Sequence, residues 1–190
     1  MDVDIDCHPT FKPATIFPDW PRAMILKDEK ISAHPCGVYP QKMAVDPVTG
    51  LSAIPYDQAE DLGYLKVDFL HLSVYQHFTR RSEIEQLLQK EPDWSLLQLP
   101  SAQAKIFQLG KHGQLLTDLK PTSIVELADI MALIRPGKKA FIGLYKSDRE
   151  SARRVLFAKD ESGYSFKKSH ALAYSYVVLL QLHLIEQGRL

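Results

Sequence analysis

Asp2, Asp4 and Asp6 alternate with Val3 and Ile5 at the start of this 190-residue chain, in the stretch MDVDIDC. In an extended strand alternate side chains share a face, so the three carboxylates line up roughly 6.8 Å apart, opposite two β-branched residues. Carboxylates ~5 Å apart repel by roughly 3 kcal/mol at an effective dielectric of ~20. Such a face is either bathed in water, as chain ends often are, or occupied by a cation. Asp68 poses the same question in apolar company. In LKVDFL it shares a strand face with Lys66, while Val67 and Phe69 point the other way. A carboxylate in a buried strand is costly unless it is paired, hydrogen-bonded or bound to a metal. A Lys66–Asp68 pair at a sheet rim is one solution. With Asp4 and Asp6 on a neighbouring strand, the other is an oxygen-rich cage for Mg²⁺, which prefers carboxylates plus substrate phosphates. Two such ions ~3.5–4 Å apart are a general device for moving a nucleotidyl group.

The complementary half of such a site must neutralise a triphosphate. SARRVLFAK offers Arg153 and Arg154, and SFKKSH offers Lys167, Lys168 and His170. Neighbours on a helix point about 100° apart, so only one arginine of the pair need reach a ligand. The planar guanidinium suits phosphate oxygens, and Lys168 lies where a helix N-terminus would itself attract anions. The plain alternative for each is a solvated surface base. The histidines say less. Cys7-His8 and His34-x-Cys36 supply four zinc-type ligands, but at spacings that match no common zinc motif, so packing or solvent exposure is the simpler expectation.

The elements that must position these residues fall into two groups, an α+β pattern with a small sheet first and helices after it. Residues 8–30 carry Pro9, Pro13, Pro18 and Pro21 and read as an extended loop. HPCGVYP suggests a short strand ended by Pro40, DPVTG a turn, and GYLKVDFLHL a buried strand. From residue 73 the period changes to that of helices. Ser82 is placed to cap EIEQLLQK, with Glu85 completing a capping box. SAQAKIFQLGKHGQLLTDL and SIVELADIMALI read as helices joined by KPT, with RPGKK breaking the second. AFIGLY fits a strand or a helical start, SDRESARRVLFAK a helix. Ser169 is placed to cap HALAYSYVVLLQLHLIEQ, whose apolar faces require burial in this chain or against a partner.

A 45% hydrophobic, 24% charged composition is globular, and no apolar run reaches the ~18 residues of a membrane span. Cys7 and Cys36 lie too far apart for a C-x-x-C motif, which makes a cytoplasmic setting the expectation. The net charge of zero hides a polarity along the chain. Residues 1–70 hold 11 acids and 6 bases, whereas residues 137–170 hold 9 bases and 4 acids. A site joining cations to polyphosphate needs both ends.

These segments, taken in order, resemble the catalytic core of the bacterial DNA polymerase III alpha subunit, the C-family replicative polymerases. DVDIDC is similar to that family's aspartate-bearing palm strand and HPCGVYP to its His-x-Gly-Gly-Val segment. YDQAEDLGYLKVDFLHL is similar to the strand with the third catalytic aspartate and is the most specific match. AKIFQLGKHGQLLTDLKP and ELADIMALIRPG resemble the start of the fingers, FIGLY and ARRVLFAK the fingers segments that meet the nucleotide, and SGYSFKKSHALAYSYV a Gly-Tyr-x-Phe-Asn-Lys-Ser-His motif. The resemblance implies a palm-like sheet of nucleotidyltransferase type over residues 1–72 and a helical fingers-like region over residues 73–190. It implies Asp4, Asp6 and Asp68 as catalytic, metal-binding carboxylates for two Mg²⁺ ions. Lys66, Arg153, Arg154, Lys168 and His170 would bind the nucleotide.

The departures from the family are large. A proline-rich link stands where the family inserts a thumb, Pro35 and Cys36 replace small residues, Gly110 replaces an acid and Lys167 an Asn. The sequence opens at the aspartate strand, without the family's N-terminal domain and first palm strands. The expectation is a much-reduced polymerase core, phage-like or from a mobile element, acting on primer-template DNA and dNTP. A second polymerase or replisome chain would supply thumb or palm, and no membrane is involved. The alternative is a non-catalytic polymerase-like module that binds DNA or a replisome partner.

Overall fold

A computed structural model describes residues 2–106, 109–158 and 166–190. The fold is α+β, and the chain divides into two compact units, residues 1–77 and 78–190. Among the described residues, no helix is long and apolar enough to cross a membrane.

The first unit is a five-stranded mixed sheet built from β1 (Asp2–Cys7), β2 (Arg22–Lys27), β3 (Lys30–Val38), β4 (Leu51–Pro55) and β5 (Lys66–His71), in the order β1-β5-β3-β2-β4. β5 is an interior strand, between β1 and β3, because its side chains are apolar enough to be covered: Val67 and Phe69 pack with Val38 beneath Phe11, Phe17 and Trp20. The ring of Phe69 lies 5.2 Å from Phe11 and 6.0 Å from Phe17, and Phe17 stacks on Trp20 at 4.1 Å. The proline-rich segment is therefore the cover of one sheet face. β1 is an edge strand running parallel to β5, with Val3 and Ile5 both more than 40% exposed.

Two details depart from the sequence expectation. Residues 8–30 are not all loop, since Arg22–Lys27 forms β2 and pairs antiparallel with β3. The two strands meet through Asp28 and Glu29, at φ 49° and 63°. A two-residue turn of that hand usually announces itself with Asn-Gly or Asp-Gly, and Asp-Glu hides it. β3 is also longer than the short strand expected, because it absorbs Pro35 in a wide bulge. Met24 pairs with Ala33 and Arg22 with Val38, so Ala23 alone faces the four residues His34–Gly37. Proline is tolerated at such a bulge because no ladder hydrogen bond is asked of it there. The Arg22 guanidinium fixes the bulge by donating to the His34 carbonyl at 2.8 Å and the Pro35 carbonyl at 2.9 Å.

The second unit is helical. Its core joins α6 (Ile124–Leu133) to α9 (Lys168–Glu186), with α8 (Arg149–Leu156) and α7 (Ile142–Ser147) packed around them; α1 (Pro13–Ile16) and α2 (Tyr56–Asp61) belong to the first unit, α3 (Arg81–Leu88), α4 (Pro100–Gln103) and α5 (Gly113–Leu119) to the second. The apolar α9 is buried within this unit. Ser123 caps α6 by accepting the Glu126 N–H at 3.2 Å, and Asp148 caps α8 by accepting that of Ser151 at 3.1 Å. The caps expected at Ser82 and Ser169 do not form. Each serine lies inside its helix, after Arg81 and Lys168, and Glu85 pairs with Arg81 at 2.8 Å instead. AFIGLY is helical, and among the described residues of the segment from Ser101 to Leu119 the helix α4 ends at Gln103, while a 3-10 turn over Gly110–His112 leads into α5, so the segment is not one helix.

Candidate functional site

Parallel register brings the acids together. Asp4 of β1 lies directly opposite Asp68 of β5, with Asp2 opposite Lys66 and Asp6 opposite Leu70. In-register residues of neighbouring strands project to the same face, at a strand spacing of about 4.8 Å. Asp4 and Asp68 are thus side by side on the face away from the aromatic cover. Two like charges at that distance need a counter-charge. Lys66 supplies one: its Nζ is 2.6 Å from Asp68 Oδ2 and 3.5 Å from Asp2 Oδ2. Burial alone would pull the Lys66 ammonium down, but the hydrogen bond and charge of Asp68, with Asp2, outweigh it and hold its pKa above the ordinary value.

Asp68 is only half satisfied. Its side chain is 13% exposed, Oδ2 is taken by Lys66, and Oδ1 is buried with no hydrogen-bond partner. The neighbouring His34 does not supply one. Its Nδ1 lies 3.7 Å from Asp68 Oδ1 but accepts the Gly37 N–H at 2.9 Å, so that nitrogen carries a lone pair and no proton. Burial, then the Lys66 charge, pushes the His34 pKa down, which agrees with a neutral ring. Cys36 completes the surroundings. Burial, then the charge of Asp68, raises its thiol to about 11, so it is protonated at neutral pH and is at most a weak, long-range donor toward Asp68, too far to count as a partner of Oδ1. Tyr39, whose hydroxyl is also buried without a partner, is pushed up to about 12 by burial and by Asp2 and Asp68.

Asp6 sits two residues along β1 on the same face. Its Oδ2 accepts the Tyr75 hydroxyl at 2.9 Å. Burial raises its pKa; the Tyr75 bond opposes this and the Asp4 charge adds to it. The sheet unit therefore sets Asp4 beside Asp68 by register, with Lys66 on Asp68 and Asp6 held by Tyr75; among the described residues the three metal-type donors that come within 4.8 Å of one another are those of His34, Cys36 and Asp68, not the three aspartates.

The expected phosphate-binding residues lie in the helical unit. Arg153 of α8 donates through Nε to Asp129 Oδ2 at 2.7 Å, and that bond raises its pKa. Arg154 is exposed on the same helix, Lys168 is exposed at the start of α9, and His170 is half-buried one turn in. Of the segments read as nucleotide-binding, Lys159 and residues 162–165 lie outside the described residues, as do Phe107 and Gln108 of the expected fingers start.

Three groups escaped the sequence reading. His34 and Cys36 come to Asp68 rather than to Cys7 and His8; the Cys7 thiol donates to the Leu70 carbonyl, and His8 bonds Thr10. Tyr75 was not singled out, and nothing in its spacing marks it. Asp129 was missed although one acid inside ELADIMALI is a visible signal. It accepts from both Tyr145 and Arg153.

No protein-family model matches this chain. Over 116 residues it is 29% identical to the DNA polymerase III subunit alpha of Borreliella burgdorferi, a match covering 53% of this chain and 10% of that protein. The match thus spans about a tenth of that relative's length.

Proposed function

We propose that the sheet unit is a reduced polymerase palm and that the chain catalyses template-directed transfer of a nucleotidyl group from dNTP to a primer 3′ hydroxyl, together with a partner chain that completes the DNA grip. One observation carries the reading: Asp4 and Asp68 stand in register on neighbouring strands, and Asp68 Oδ1 is buried without a partner. An oxygen so placed is uncompensated unless a cation meets it. The donors of Asp4, Asp6 and Asp68 are all carboxylate oxygens, the set Mg²⁺ prefers alongside substrate phosphates. A pair of Mg²⁺ ions held there supplies activation of the attacking hydroxyl and charge stabilisation at the leaving pyrophosphate.

The chain's own residues do the positioning. Lys66 fixes Asp68 Oδ2, which orients Oδ1. Tyr75 fixes Asp6. Arg22 holds the bulge that brings β3 against Asp68. The resemblance assigns Arg153, Arg154, Lys168 and His170 to the nucleotide phosphates, and α8 and α9 carry them.

A second reading has its own support. Lys66 already gives Asp68 a counter-charge without any metal, as in a carboxylate retained in a module that only binds DNA or a replisome partner. Primer extension with labelled dNTP and Mg²⁺, run on wild type and Asp68→Asn, separates the two. Extension by wild type that is lost in the variant, with DNA binding intact in both, supports the polymerase. DNA binding without extension in wild type, across candidate partner chains, overturns it in favour of the module.

A further inference from the structure

We propose that His34, Cys36 and Asp68 form a binding site for one thiophilic divalent cation of the zinc class, distinct in ligand chemistry from the all-oxygen Mg²⁺ set. One imidazole nitrogen, one thiol sulfur and one carboxylate oxygen lie within 4.8 Å of one another. The measured separations are near those of a holo site. His34 Nδ1 is 3.7 Å from Asp68 Oδ1 and 3.9 Å from Cys36 Sγ. Tetrahedral zinc bonds imply ligand-to-ligand separations of roughly 3.3–3.6 Å. The two His34 separations close to those values by a few tenths of an ångström, Cys36 and Asp68 close from within 4.8 Å, and the fourth position is left for water or a substrate group. A mixed nitrogen, sulfur and oxygen set selects zinc over magnesium or calcium, which want oxygen alone.

Three further features fit a built site. Asp68 offers the metal its Oδ1, because Lys66 occupies the other oxygen; the Mg²⁺ reading uses the same atom, so the two cations compete for it. His34 Nδ1 carries no proton and needs no deprotonation, although its lone pair must turn from the Gly37 N–H to the metal. The backbone is shaped around the cluster: a Cβ on Gly37 would stand 2.8 Å from His34 Nδ1, 2.9 Å from Asp68 Oδ1 and 3.0 Å from Lys66 Cδ. On binding, the metal takes the Nδ1 lone pair now shared with the Gly37 N–H, and the Cys36 thiol releases its proton to solvent as a thiolate.

The test is a titration of the full chain with Co²⁺, followed by displacement with Zn²⁺. The expected result is a thiolate-to-cobalt charge-transfer band that saturates at one equivalent and disappears when Zn²⁺ is added. Cys36→Ser abolishes the band, His34→Ala weakens cobalt affinity by at least ~10-fold, and Cys7→Ser leaves both unchanged. Circular dichroism of each variant establishes that the fold survives. A wild type without the band, a band that fails to saturate at one equivalent, or a band that follows Cys7 instead of Cys36 overturns the site. The spectroscopic readout does not depend on polymerase activity, so the site and the polymerase reading can fail separately.

Discussion

Asp68 and Asp129 are both acids set among apolar neighbours, one in the sheet unit and one in the helical unit, and their surroundings differ. Asp129 is 2% exposed, and its Oδ2 receives the Tyr145 hydroxyl at 2.9 Å and Arg153 Nε at 2.7 Å. Among the described residues it contributes no buried oxygen without a partner. Asp68 is more exposed at 13%, yet its Oδ1 is buried and unpartnered while Lys66 serves only the other oxygen. Removing a charge from water is offset only when its hydrogen-bonding capacity is met. Asp129 is met from within its own unit and belongs to the architecture. Asp68 keeps capacity that the fold does not fill, and the proposed ligand position rests on that difference. Charge and burial alone do not separate the two; the completeness of compensation does.

The largest expected effect follows from that difference. On the proposed polymerase reading, Asp68→Asn is expected to lower primer extension by at least ~10³-fold, a barrier increase of roughly 4 kcal/mol, whereas Asp129→Asn, which touches the reaction only through the position of Arg153, lowers it far less. Single-turnover extension at saturating dNTP measures this. Equal losses in both variants would dissolve the distinction.

In stability the order reverses. Arg153→Met strands the Asp129 carboxylate and costs roughly 3 kcal/mol, because breaking a buried pair leaves one charge uncompensated. Asp68→Asn keeps an amide oxygen for the Lys66 ammonium, which also retains Asp2 at 3.5 Å, so its cost stays lower, at about 1–2 kcal/mol. Urea unfolding of both variants without divalent cation checks the pair. A larger loss in Asp68→Asn would mean that Asp68, too, is part of the scaffold.

The same contrast explains what was legible in the sequence. The alternation of Asp2, Asp4 and Asp6, and the placement of Lys66 beside Asp68, follow from the two-residue strand period, which sequence displays directly. The α+β order was likewise visible in the change of period near residue 73. What stayed hidden depends on irregular backbone. Strict alternation along β3 sends Cys36 and Gly37 to opposite faces, and only the four-residue bulge opposite Ala23 lets His34 and Cys36 both approach Asp68. The hairpin leading into that bulge was hidden by its Asp-Glu turn. Ser82 and Ser169 match a cap pattern, yet helix starts one residue earlier put both inside their helices. The tie between Arg153 and Asp129 joins residues 24 apart in sequence, a pairing that no local pattern encodes.

Gly37 tests whether the crowding at Asp68 is built in. Alanine there places a methyl group 2.8–3.0 Å from three side-chain atoms, so His34 or Asp68 must move. The expected cost is about 2 kcal/mol, the range for overpacking, together with a weakened cobalt thiolate band. Urea unfolding gives the first and the spectrum the second. A variant as stable as wild type with an unchanged band would show that the close approach of β3 has no bearing on the cluster.

Asp6 gives the smallest effect and the sharpest use of pH. Asp6 is an exposed residue, but partial desolvation of its carboxyl raises its pKa above 3.8, with the Tyr75 bond opposing and Asp4 adding. The folded chain therefore holds the Asp6 proton more tightly than the unfolded chain. That preference contributes stability in full below pH 3.8 and is lost as pH rises through the folded value. At pH 7 ionised Asp6 is a net cost to the fold. Asparagine can still accept the Tyr75 hydroxyl but carries no charge, so Asp6→Asn should melt slightly above wild type at pH 7 without divalent cation. The gap should close as pH falls below 3.8, where wild-type Asp6 is itself neutral. Adding Mg²⁺ at pH 7 reverses the sign of the comparison if Asp6 holds the ion, since a ligand bound to the native state stabilises wild type more than the variant. Thermal melts at the two pH values, with and without Mg²⁺, read all of this. A variant less stable than wild type at pH 7 in the absence of metal would place Asp6 with Asp129, as an acid whose charge the fold itself requires.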